Sequence, residues 1–251
     1  MNDFYDDLAQ SYHLIFEDWD TSIIRQGDAL SGVILERWGG DICTVLDVAC
    51  GIGTQAIALA NLGFEVTASD LSGAAVKRAG REAQARNVDI AFSVCNMLHC
   101  HDHHQREFDL EIACDNSIPH LLSDNEILTA LRQMYDCVRP GGGILLTVRD
   151  YDTEPRGNGI LKPYGLREVD GKRMVLFQVW DFEGDLYDLS LHITEDDGKT
   201  DVTTTRIMRT RYYAISSRKL MALMQEAGFV DIERNNNAFY QPVLTGMKDM
   251  R

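Results

Sequence analysis

Two rhythms of apolar and polar positions run along the chain. From residue 44 onward, short apolar runs of strand length alternate with segments whose apolar residues recur at helical spacing. "TVLDVAC" reads as a strand, and "TQAIALANLG" as a short helix stopped by Gly63. "EVTASD" reads as a second strand, and "SGAAVKRAGREAQARN" as an amphipathic helix capped by Ser72. "IAFSVCN" and "FDLEIACDN" give a third and a fourth strand, with polar "MLHCHDHHQRE" between them as a loop. "SDNEILTALRQMYDCV" places Ser123 and Glu126 in the relation of a capping box ahead of a helix. "RPGGG" at 139–143 ends that helix, and "ILLTVRDY" follows as a fifth buried strand. Such alternation predicts parallel strands covered by helices on both faces, a doubly wound α/β sheet.

After Tyr151 the period drops to two. "RMVLFQVWDF", "LYDLSLHITED" and "TTTRIMRTRYYAIS" alternate in the manner of antiparallel strands, separated by "EGD" and "DDGK" turns. A helix, "SRKLMALMQEAGF", then returns, followed by "VDIERN" and "AFYQPVLTGM". The expected organisation is a helical lead-in over 1–40 and an α/β core over 41–150. An antiparallel cover over 151–212 follows, then a C-terminal part over 213–251 that completes the main sheet.

The turn "LDVACGIGT" joins the first strand to the first helix of the alternation, a unit suited to holding a nucleotide. Gly51 and Gly53 lack a Cβ and let the backbone come close to a ligand. A dinucleotide's pyrophosphate would be repelled by Asp47 at the strand's end, whereas a cofactor with a sulfonium and an ammonium would be attracted. Asp47 therefore favours S-adenosyl-L-methionine over NAD, with an NAD-dependent oxidoreductase as the competing reading. Asp70, ending the second strand, suits the ribose hydroxyls of either.

Net charge is −15 with a pI near 4.8, which disfavours nucleic acid and anionic membrane surfaces as partners. No apolar run approaches bilayer length, and "MNDFYDDLAQSYHL" has no basic region leading an apolar one, so a cytoplasmic location is expected. The six cysteines contain no CxxC pair and read as reduced thiols. Cys95, His99, Cys100, His101, His103 and His104 crowd one segment. Sharing a single loop, they lack the separated pairs of a structural zinc site, so no metal is expected.

Four ordered motifs, "LDVACGIGT", "VTASDLS", "FDLEIACDNSIPHLL" and "VRPGGGILLTVRDY", resemble the class I S-adenosylmethionine-dependent methyltransferases. The resemblance implies a Rossmann-like, mostly parallel sheet with its antiparallel insertion over the active site. It implies cofactor contacts from Asp47, Ala49, Gly51, Gly53, Asp70, Leu71 and Cys114. Asn96 and Met97 would flank the adenine, Asn96 standing where the family usually has Asp. "IACDNSIPHLL", "VRDYD", "RTRYYAISSRKLMALMQEAG" and "YHLIFEDWDTSIIRQG" are similar to the glycine and glycine/sarcosine N-methyltransferases. That narrower resemblance implies substrate contacts from Asn116 and Arg149, with Arg149 pairing a carboxylate. It sets His120 near the cofactor, brings Tyr212 or Tyr213 into the site, and matches Arg25 to an Arg that holds the cofactor's own carboxylate. The tyrosine spacing of the glycine group is not reproduced in "RMVLFQVWDFEGDLYDLS", and Asp150 and Asp152 flank Arg149. The expected reaction is methyl transfer to a nitrogen of a small amine or amino acid. O- or ring-N-methylation of a larger metabolite is the alternative, and the oligomeric state is not legible.

Overall fold

The structure, a computed structural model, describes residues 2–250. Five parallel strands follow the predicted alternation: β1 (Thr44–Asp47), β2 (Glu65–Asp70), β3 (Ala91–Val94), β4 (Phe108–Ala113) and β5 (Val138–Thr147). With β10 (Val230–Asn235) and β11 (Val243–Met247) they form one sheet ordered β10-β11-β5-β4-β1-β2-β3. β11 runs antiparallel to β5, and β10 antiparallel to β11. Strand order reverses between β1 and β4, so the chain diverges to opposite sides beyond their carboxyl ends and leaves a crevice there.

Helices α2 (Trp19–Trp38), α3 (Thr54–Asn61) and α4 (Gly73–Ala85), and on the other side α6 (Asp124–Cys137) and α7 (Ser217–Ala227), complete this unit. α6 forms where the pattern places it. Ser123 Oγ accepts from Glu126 N, and Glu126 reaches back to Leu122 N, one residue earlier than in the standard box. Ile127, Ala130, Leu131 and Met134 then fall on one face and are fully buried. Burial of each large apolar side chain among them contributes roughly 1.5–3 kcal/mol.

The second sheet is antiparallel, ordered β6-β7-β8-β9, with β6 (Ile160–Val169), β7 (Lys172–Glu183), β8 (Leu186–Asp196) and β9 (Thr204–Tyr213). Leu176, Gln178 and Trp180 of β7 and Tyr187, Leu189, Leu191 and Ile193 of β8 form its inward face. Phe4 and Leu8 of α1 (Asn2–Leu8) pack into that face, tying the lead-in to the cover. Asp6 holds the other side of the lead-in. It accepts from the Ser72 hydroxyl and from Ala74 N at the start of α4, where the helix dipole favours an anion.

Three expectations need correction. β6 escaped notice because Pro163 and Gly165 interrupt its alternation; the register slips between them, and Gly165 has φ +98°. "RPGGG" is not a helix stop but the first half of β5. A Cβ on Gly142 would lie 2.3 Å from the Asp109 carbonyl oxygen, so these glycines let strand backbones approach. The polar segment after β3 is not a loop either. It folds into a 3₁₀ turn, Met97–His99, and a short helix, α5 (Cys100–His104).

Candidate active site

The turn after β1 runs through Ala49 to Gly53 and opens α3. Gly51 has φ +53°, and a Cβ there would sit 3.1 Å from the Tyr12 ring. Asp70 at the end of β2 braces the turn: Oδ2 accepts from Gly51 N and Oδ1 from Ser72 N, each at 2.8 Å. Ala49, Gly51, Asp70, Leu71, Asn96, Met97 and Cys114 line one cavity of about 260 Å³, together with Tyr5, Tyr12 and His120. Asn96 also caps the 3₁₀ turn, its Oδ1 accepting from Leu98 N at 3.0 Å, and keeps a second lone pair for a ligand.

Asp47 and Gly53 are not on that wall. Gly53, at φ +92°, caps the start of α3, and a Cβ there would lie 3.0 Å from Ile57 and 3.3 Å from Ala79. Asp47 lies beneath the turn at 1% exposure, with Oδ1 accepting from Ala49 N at 3.1 Å and Oδ2 unpartnered. The carboxylate on which the choice of cofactor rested thus supports the turn rather than facing the cavity. Burial pushes its pKa up to about 7, against the bond from Ala49 and with the Asp70 charge adding to the rise. A carboxyl raised on folding contributes stability below its unfolded value of 3.8 and loses that contribution as pH climbs through about 7. Asp47→Asn keeps the acceptor for Ala49 and removes the titration. It is expected to raise stability near pH 8 by about 2 kcal/mol and to flatten the fall in Tm between about pH 4 and pH 8. Identical pH slopes for variant and parent would show that Asp47 does not titrate in that window.

A second, larger cavity of about 880 Å³ adjoins the first, and Asp115 lines both. Its walls include Arg149, Tyr164, Gln178, Lys162, Tyr240 and Arg25. Arg149 extends from the end of β5 over the face of Trp180, 5.0 Å from the ring centroid, and its Nε has no partner. Burial works against its charge, but Tyr164, Tyr151, Tyr187 and Tyr212 around it raise its pKa. Asp150 does not neutralise it, being paired with Arg234 at 2.9 Å, and Glu154 pairs with Lys162. Among the described residues Arg149 is a half-buried cation without a carboxylate partner. Trp180 donates to Gln178 at 2.9 Å and Gln178 to Tyr164 at 3.0 Å, which fixes the wall beside it. Asp115, at φ +53°, accepts from Tyr240 at 2.7 Å and Gln241 at 3.3 Å.

Asn116 lines neither cavity. Its Nδ2 donates to Tyr151 at 2.8 Å and its Oδ1 accepts from Arg149 N at 3.0 Å, so its amide positions Arg149. His120 does line the first cavity. Its Nε2 is 2.6 Å from the Tyr5 hydroxyl, its Nδ1 is unpartnered, and burial pushes its pKa down to about 3, leaving a neutral ring. Tyr212 packs on that ring at 4.0 Å and stacks on Tyr187. Tyr213 turns the other way, donating to Asp124 and accepting from Lys219; Tyr212 lines neither cavity but packs behind His120 and Tyr5, which line the first. Arg25 is exposed and lines the second cavity, not the first. The two flanking walls that sequence reasoning missed are Tyr5 and Tyr12 from the lead-in, and Asp115, Tyr164 and Tyr240.

The histidine-rich segment also departs from expectation. Folding of α5 brings Cys95 together with His103 and His104, and Cys100 together with Glu111 and Cys137, each trio with its ligand atoms within 4.8 Å of one another. All six cysteines are free thiols, five of them buried. No helix of the described residues is long and apolar enough to cross a membrane.

Residues 45–142 match a family described as a methyltransferase domain. A glycine/sarcosine N-methyltransferase from Parasynechococcus marenigrum (strain WH8102) is 29% identical over 145 residues, 58% of this chain and 50% of that protein. Glycine N-methyltransferase from Rattus norvegicus is 35% identical over 119 residues, 43% of this chain and 41% of that protein. The chain thus spans about half the length or less of these curated relatives. Among solved structures, S-adenosylmethionine-bound CalS10, an amino pentose methyltransferase from Micromonospora echinaspora, superposes with a TM-score of 0.78. It is 15% identical, over 95% of each chain. The domain match favours S-adenosylmethionine over the NAD-dependent alternative. Residues 45–142 thus match a methyltransferase domain, and the chain shares the fold of a solved S-adenosylmethionine-dependent methyltransferase.

Proposed function

We propose that this protein methylates the amine nitrogen of a small molecule that also bears a carboxylate. One observation carries the reading: Arg149 is a cation without a carboxylate partner, in a cavity that meets the cofactor cavity at Asp115. A guanidinium fork suits bidentate capture of a carboxylate. Asp115, opposite in sign and on the shared wall, suits the amine end of the same ligand. The relatives named as glycine and glycine/sarcosine N-methyltransferases support this class of acceptor.

The first cavity fits the cofactor by its chemistry. Asp70 keeps free lone pairs for ribose hydroxyls beyond the two it gives the backbone, and Leu71, Met97 and Leu98 offer apolar walls to a purine. Bound there, S-adenosylmethionine supplies a methyl group on a sulfonium whose departure yields a neutral thioether. The protein's own part is placement and exclusion of water. Arg149 and its tyrosine wall orient the acceptor, and Asn116 fixes the Arg149 backbone. Tyr5 and Tyr12 wall the first cavity with Tyr212 packed behind His120, and neutral His120 adds no charge to oppose an approaching cation.

An amine on a larger scaffold, such as an amino sugar, is the second reading. It is favoured by the size of the second cavity and by the fold shared with an amino pentose methyltransferase. A screen with methyl-labelled S-adenosylmethionine over glycine, sarcosine, larger amino acids, amino sugars and phenols tests both. Label is expected on nitrogen and strongest with carboxylate-bearing amines. Transfer to amino sugars alone would favour the second reading, and transfer to phenol oxygen alone would overturn the proposal.

A further inference from the structure

We propose that Cys95, His103 and His104 form a binding site for one transition-metal ion of the zinc class on the outer wall of the cofactor cavity. The 3₁₀ turn and α5 reverse the chain after β3 and bring two consecutive histidines back over Cys95, the residue that follows that strand. The three ligand atoms lie within 4.8 Å of one another, so side-chain shifts of about 1 Å bring them to the roughly 3.3–3.6 Å separations around a tetrahedral ion. Both rings are steadied from outside the trio: His103 Nε2 lies 2.9 Å from Ser93 Oγ, and His104 Nε2 3.2 Å from Ser69 Oγ. Partners of this kind fix ring orientation around a metal.

One thiolate with two imidazoles selects zinc, cobalt or copper over the hard, oxygen-seeking magnesium and calcium. Burial is graded from the thiol outward. Cys95 is enclosed, His104 half-buried and His103 exposed, so an ion can enter from solvent and keep water as a fourth ligand. The neighbouring trio of Cys100, Glu111 and Cys137 is fully enclosed and offers no such entry.

Cobalt(II) titration of the full chain, in a reductant that is not a thiol, reads the site without any assay of methyl transfer. One equivalent is expected to give a thiolate-to-cobalt charge-transfer band with tetrahedral visible bands, all displaced by zinc. Cys95→Ser should abolish the charge-transfer band. His103→Gln, at an exposed position, should weaken cobalt binding at least about tenfold, since even outer-shell partners are worth that much. Cys137→Ser should leave the band intact. No thiolate band in the parent protein, a band that survives Cys95→Ser, or one lost in Cys137→Ser would each overturn the assignment. The last result would place the ion in the enclosed trio.

Discussion

Replacing Arg149 with alanine is expected to lower kcat/KM for the methyl acceptor by roughly two orders of magnitude, leaving S-adenosylmethionine affinity within about twofold. The guanidinium belongs to the second cavity and not to the first, which separates the two readouts. A hydrogen bond to a charged partner contributes about 1.5–3 kcal/mol, and its loss also strands the acceptor's carboxylate among aromatic walls. Arg149→Lys is not expected to restore activity. An ammonium is a point charge with no planar fork, and it gives up the flat stacking of guanidinium on Trp180. Steady-state kinetics with the best acceptor, beside calorimetric titration of the cofactor, makes the comparison. A parallel fall in cofactor affinity would mean that Arg149 holds the cofactor's own carboxylate instead. Unchanged kinetics would remove the carboxylate clamp altogether.

What the sequence made legible follows the reach of its signals. Period and punctuation are local, so the β1–β5 alternation, the Ser72 and Ser123 caps and the antiparallel period of β7, β8 and β9 could all be read in order. β6 could not, because the register shift between Pro163 and Gly165 interrupts its alternation. In the site, residues next to a motif were found: Ala49, Gly51, Asp70, Asn96 and Arg149 all line a cavity. Tyr5, Tyr12 and Tyr240 were not found, since each arrives from a distant segment whose docking depends on tertiary packing.

Asp47 shows a different limit. Its position at the strand's end was right, but its side chain faces inward and bonds Ala49 N, and sequence spacing does not encode that orientation. Asn116 is similar: identity and place were legible, while the partners that consume its amide, Tyr151 and Arg149 N, were not. The histidine-rich segment inverts the lesson. Six candidate ligands in one stretch looked too local to converge, yet a five-residue helix was enough to fold two of them onto Cys95.

Asp70→Ala is the substitution expected to affect cofactor binding most, raising the Kd for S-adenosylmethionine by roughly two to three orders of magnitude. The carboxylate has two duties. It accepts from Gly51 N and Ser72 N, holding the glycine turn against the start of α4, and it presents its remaining lone pairs to the cavity. Alanine leaves both N–H groups without their acceptor and takes away the charge-assisted bonds to the ribose. Asp70→Asn keeps one acceptor oxygen and should fall between, nearer about tenfold. Burial raises the pKa of Asp70, opposed by the bonds from Ser72 and Gly51, so its charge is lost at a higher pH than an ordinary carboxylate's. Cofactor affinity should accordingly decline on acidification in the parent protein and stay flat in Asp70→Ala. Calorimetric titration over a range of pH, on variants first shown by circular dichroism to be folded, reads both effects. An unchanged Kd in Asp70→Ala would leave this carboxylate a brace for the turn and nothing more, and the ribose would have to be held from another wall.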